Sequence, residues 1–168
     1  MIPIIIIVLS LFFDGLLTNY LPFLVNDLSL FTPLLTIVSI FMIYPYFRKE
    51  LKKYFIIVAS IGIIYDLLYT NLLFFNAILF LLIAIITRFI YKNYEITFFR
   101  LVIYIILIIV IYESATALIL LIFNLVPITI SKLLYKIYHS LILNIIYGEL
   151  IYLVLKLLPK KYKKISIN

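Results

Sequence analysis

Long apolar runs alternate with short polar clusters along the whole chain. At about 1.5 Å per helical residue, a hydrocarbon core of about 30 Å takes about 20 residues. That ruler predicts six helical spans, over 3–20, 30–47, 54–71, 74–91, 100–126 and 133–158. The apolar block from Tyr54 to Tyr91 is too long for one crossing, and its polar break between Tyr69-Thr70-Asn71 and Asn76 predicts a tight hairpin there. The expected architecture is all-α: a polytopic bundle of six transmembrane helices forming one integral membrane domain over residues 1–168. No predicted loop is long enough to fold into a domain of its own. The opening Met1-Ile2-Pro3, followed by apolar residues to Phe13, has neither a basic leader nor a small-residue cleavage site, and reads as a retained first span.

Composition agrees with this pattern. Of the 168 residues 67% are hydrophobic and the mean hydropathy is +1.30, whereas ordinary globular proteins are about 45–50% apolar. That excludes a soluble catalytic or nucleic-acid-binding domain. The net charge of +7 then has to be read by position. Arg48, Lys49, Lys52 and Lys53, then Arg88, Lys92 and Arg100, then Lys156, Lys160, Lys161, Lys163 and Lys164 all fall on one side of the six-span topology, and only Lys132 and Lys136 fall on the other. Basic residues accumulate on the cytoplasmic side of short loops, so both termini are expected in the cytoplasm. With no Trp, interfacial anchoring is expected of Tyr20, Tyr44, Tyr46, Tyr54, Tyr91, Tyr94 and Tyr162. The tail from Lys156 to Lys164 is expected to meet anionic headgroups.

Candidate chemistry lies with the acids placed inside spans: Asp14, Asp66, Glu113 and Glu149. An acid at a helix centre costs roughly 2.5–3.5 kcal/mol to insert, so each should face the bundle interior and find a partner. Ser10, Asp14 and Thr18 share an i, i+4, i+8 spacing, as do Gly62, Asp66 and Thr70, which predicts one polar stripe on each helix. Gly62 should admit a close neighbouring helix, and Ser114-Ala115-Thr116-Ala117 should do the same. Asp14 and Asp66 are expected in the outer half, Glu113 near mid-span and Glu149 towards the cytoplasm. Lys136 or His139 is the expected cationic partner of an outer acid. Each acid reads first as a hydrogen-bonding group that fixes helix packing. A proton or cation pathway and a partner-docking face are the alternatives.

Catalysis finds no support. There is no Cys, a single His and Gly only at 15, 62 and 148, so thiolate chemistry and glycine-rich phosphate loops are excluded. Ser114 follows Glu113 directly, which points the two side chains to different helix faces. No catalytic, cofactor or metal site is therefore expected. Inverted repeats of the kind found in many transporters are likewise not evident.

The order and spacing of these residues resemble the MreD family of bacterial rod shape-determining inner-membrane proteins. The resemblance rests on Gly62-Ile63-Ile64-Tyr65-Asp66 followed by Tyr69-Thr70 and Leu72-Leu73, which is similar to that family's third span with its embedded acid. It is joined by Asp14 in the first span, Pro33-Leu34-Leu35 at the start of the second, Glu113 in the fifth and Leu143-Asn144 in the last. The family pattern has a glycine at the hairpin where this chain has Phe74. The resemblance implies a non-enzymatic component of the cell-wall elongation machinery, bound to MreC and through it to MreB, RodA and the RodA-associated transpeptidase. Asp14, Gly62, Tyr65, Asp66, Thr70, Glu113 and Asn144 would be its partner or cavity residues. The architecture is also similar to the substrate-binding subunits of energy-coupling-factor vitamin transporters, so capture of a small solute by Asp14, Asp66 and Lys136 is the second expectation.

Overall fold

The computed structural model describes residues 2–25, 32–70, 72–94, 97–124 and 129–157, with side chains 21–25 outside the description. These form six helices: α1 (Ile2–Val25), α2 (Leu35–Phe47), α3 (Leu51–Tyr69), α4 (Phe75–Asn93), α5 (Phe98–Ile122) and α6 (Ile130–Leu157). The expected helix count and order hold among the described residues, and the break between α3 and α4 falls at the expected hairpin. Asn26, Asp27, Asn71, Tyr162 and the tail lysines from Lys160 onward lie outside the described residues. Four helices, α1 to Tyr20, α4, α5 and α6, are long and apolar enough to cross a membrane, which is consistent with a membrane protein.

Helix α2 departs from expectation. A span over 30–47 is replaced by a helix of 13 residues starting at Leu35, with Thr32 to Leu34 non-helical. At ~1.5 Å per residue it is roughly 20 Å long, short of a hydrocarbon core. It is the centre of the bundle: it packs on all five other helices, and every residue but Tyr46 is buried. Such a helix is apolar all round because it has no solvent or lipid face to serve. Its apolar sequence therefore reports burial within protein, which the hydropathy ruler cannot distinguish from burial in lipid.

The tyrosines also sort differently from the expected belt. Tyr20 and Tyr94 are exposed, as interfacial anchors should be. Tyr44 and Tyr54 are buried and pack edge-to-face at 5.2 Å, while Tyr44 and Phe41 each pack on Tyr91. The Tyr54 hydroxyl donates to the Ile40 carbonyl at 3.0 Å. This aromatic cluster holds α2, α3 and α4 together near the C-terminal end of α2, where offset and edge-on ring pairs add to area burial.

Candidate functional site

A helix that starts inside a protein leaves its first N–H groups without partners, and a buried unpaired donor costs about 1–3 kcal/mol. The residue before α2 is Leu34, whose side chain cannot cap. The acceptors come from elsewhere. Asp14 of α1 takes the Leu35 N–H on Oδ1 at 2.7 Å and the Thr36 N–H on Oδ2 at 2.9 Å. Asn144 of α6 accepts the Leu34 N–H at 2.8 Å and donates to the Thr32 carbonyl at 3.0 Å and the Ser140 carbonyl at 2.6 Å. The start of α2 is thus held from both sides by side chains distant in sequence. A carboxylate also complements the positive end of the helix dipole. One turn away on α1, Ser10 meets Ser39 of α2 and Tyr147 of α6 in a cluster of three hydroxyls. Thr18 does not extend this interior stripe; it is exposed and its hydroxyl donates to the Asp14 carbonyl at 2.7 Å.

The hairpin of α3 and α4 repeats the device with a shorter connection. Phe74 before α4 again lacks a capping side chain, and Asp66 of α3 accepts the Asn76 N–H at 3.0 Å on both oxygens and the Ala77 N–H at 3.3 Å. The Asn76 side-chain amide at 2.8 Å and the Thr70 hydroxyl at 3.1 Å complete its shell. Asn76 in turn accepts the Tyr112 hydroxyl at 2.7 Å, which carries the network onto α5. Gly62, Asp66 and Thr70 act together as their spacing predicts. At Gly62 a Cβ would run into the Ala77 backbone, Cα and N alike, so only glycine permits this approach of the two helices. Phe74 turns the hairpin with φ 65° and ψ 1°, the left-handed conformation that glycine adopts without strain. Where the resemblance led to the expectation of a glycine, the chain has a phenylalanine in a glycine-like backbone.

The third hairpin uses a cation. Lys136 of α6 meets Glu113 of α5 at 2.9 Å; Glu113 is 1% exposed and the lysine side chain 47%. The expected partner of Lys136 was an outer acid such as Asp14 or Asp66; both of those are engaged with backbone, and the ion pair goes to Glu113. His139 pairs with no acid among the described residues. Its Nδ1 contacts the Tyr135 carbonyl at 2.7 Å and its ring stacks on Tyr135.

Asp14 and Asp66 each hold the start of the helix after their own, whereas Glu113 meets α6 through the Lys136 side chain, nearly two turns in from Ile130. Glu149 is half-buried and about 20 Å further along α6 than Lys136, by helix rise. Among the described residues no three His, Asp or Glu side chains converge as a metal site would need.

Sequence reading found the acids but missed what they hold. The available signal was negative: Leu34 and Phe74 stand where Ser, Thr, Asp or Asn would cap a helix. A helix start with no local cap inside an apolar bundle requires an acceptor from another helix. Ser39, Tyr112 and Tyr147 complete these networks without a signal of their own in the sequence, and Asn76 marks the hairpin there without showing that it serves Asp66. No protein-family model matches the chain, no curated protein matches it, and no solved structure matches it.

Proposed function

We propose that this chain is a non-enzymatic component of the bacterial cell-wall elongation complex, akin to the MreD family, that sustains rod shape by binding MreC. MreB, RodA and its transpeptidase are reached through that contact. In this reading the chain is a multi-pass protein of the inner membrane with both termini in the cytoplasm. The observation that carries it is the α3–α4 hairpin. The segment from Gly62 to Thr70 that resembles the family's third span is also the segment whose glycine, acid and threonine lock the hairpin. A motif of this kind preserves a shape rather than a reaction.

The engagement of the acids supports a scaffold as well. Asp14 and Asp66 are buried with their oxygens turned to backbone N–H groups, which suits fixed helix placement better than a relay that must gain and lose protons. Partners would then be met by the outer helix faces, where α1 and α6 present long apolar surfaces. The test is to purify the tagged chain from its native membrane in mild detergent and identify retained proteins and small molecules by mass spectrometry. Recovery of MreC is the expected result. A vitamin-sized solute retained together with a transporter partner would overturn the reading in favour of solute capture.

A further inference from the structure

Glu113 is left half-satisfied. Its Oε2 takes Lys136, but Oε1 is buried with no hydrogen-bond partner. A buried carboxylate oxygen in an apolar bundle demands a donor. Oε1 belongs to a residue that lines a cleft of about 110 Å³ between α5 and α6, together with Thr116, Leu120, Lys132, Leu133 and Lys136. A second lobe of about 270 Å³ shares Ala117 and Leu133 with it and is walled by Leu118, Leu121 and Ile130. Leu118 and Ile130 are 59% and 79% exposed, so this lobe opens sideways onto the surface that a bilayer would cover.

We propose that this cleft binds an aminophospholipid of the phosphatidylethanolamine class. The primary ammonium donates to Glu113 Oε1, the phosphate lies against Lys132 and Lys136, and an acyl chain runs along the apolar lobe. The unpaired carboxylate oxygen selects this headgroup, because it calls for a charged N–H donor beside a phosphate that meets the lysines. The cleft holds one carboxylate and two ammonium groups, and Lys132 has no acid within salt-bridge distance among the described residues. A phosphate gives Lys132 an anionic partner and a lipid ammonium gives Glu113 Oε1 its donor, so each charged group in the cleft faces one of opposite sign. A choline headgroup carries the same charges but no N–H. A glycerol headgroup offers only neutral hydroxyl donors, which make weaker bonds to a carboxylate. A lipid suits the cleft because its second lobe is apolar and opens onto the surface that a bilayer would cover.

The test uses the purified full chain in detergent, titrated with phospholipids of identical acyl chains and read by native mass spectrometry. Phosphatidylethanolamine should be retained at least about fivefold over phosphatidylcholine, the ratio that about 1 kcal/mol of hydrogen bonding supplies. Along the N-methylation series the loss should come at the third methyl, which removes the last N–H. Glu113→Gln should bring the ethanolamine-to-choline ratio to about one. Lys132→Ala, at an exposed position, should lower retention of both lipids about equally. Equal retention of ethanolamine and choline lipids by the unaltered chain, or a stronger hold on phosphatidylglycerol than on phosphatidylethanolamine, would overturn the proposal. The methylation series decides the matter even if Glu113→Gln fails to fold.

Discussion

Asp14 on α1 and Leu35 on α2 are joined by a 2.7 Å hydrogen bond from backbone N–H to carboxylate, across a fully buried helix start. This bond explains how a 13-residue helix can begin within the bundle: the donors that lipid cannot satisfy are satisfied by an acid from the preceding helix. Asp66 does the same for α4, and Glu113 reaches α6 through Lys136.

The network around Asp66 should weaken in proportion to the donors removed. Tyr112→Phe deletes a single hydrogen bond to Asn76 and should cost about 1 kcal/mol. Asn76→Leu removes the amide that serves Asp66 and strands the Tyr112 hydroxyl, and should cost about 2–3 kcal/mol. Thermal midpoints of the purified variants give the ranking, and equal losses for the two would contradict it.

Gly62→Ala should destabilise the α3–α4 hairpin by about 2–3 kcal/mol, since the added methyl meets backbone and no rotamer change relieves it. A side-chain truncation at an exposed position of α3, Ile56→Ala, should cost under about 1 kcal/mol. Chemical unfolding of both variants in one detergent makes the comparison.

Phe74 offers a reversal of the usual glycine penalty. Because its backbone is left-handed, Phe74→Gly should be more stable than Phe74→Ala by about 1 kcal/mol. The opposite order would mean that the hairpin relaxes to another turn in the alanine variant. Thermal midpoints of the two variants settle it.

The absence of cysteine makes the proposed orientation directly measurable. A cysteine replacing Lys49, between α2 and α3, should react with an impermeant maleimide only after cells are opened. A cysteine replacing Leu72, in the α3–α4 hairpin, should react in intact cells. Reversed labelling would contradict cytoplasmic termini.

Much of the helix pattern was legible because lipid-facing and core-facing helices are both apolar, and because the breaks at Arg48 to Lys49 and at Thr70 to Phe74 are polar or sharply turned. The polar stripe of Gly62, Asp66 and Thr70 was legible for the same reason: helical periodicity alone places them on one face. The start of α2 was not. Residues 30–34 are as apolar as the helix that follows, and only the distant Asp14 and Asn144 fix Leu34 to Thr36 as the first turn. Tyr44 and Tyr54 misled because a tyrosine near a span end can serve equally as an interfacial anchor or as a core ring with an internal hydrogen bond. The recurrence of acid-to-next-helix contacts left no sequence repeat, because its partners are separated by 21 residues in the first hairpin and 10 in the second.

The central claim is that Asp14 and Asp66 hold helix starts, and Asp14 tests it most directly. The measurement is the unfolding free energy of Asp14→Ala and Asp14→Asn in the same detergent as the unaltered chain. Asp14→Ala should lose about 2–5 kcal/mol, because two buried N–H groups are left unpaired. Asp14→Asn, which keeps one acceptor oxygen, should recover roughly half of that loss. An Asp14→Ala chain as stable as the unaltered protein would contradict the account and return Asp14 to the group of residues whose role is in transport or partner binding.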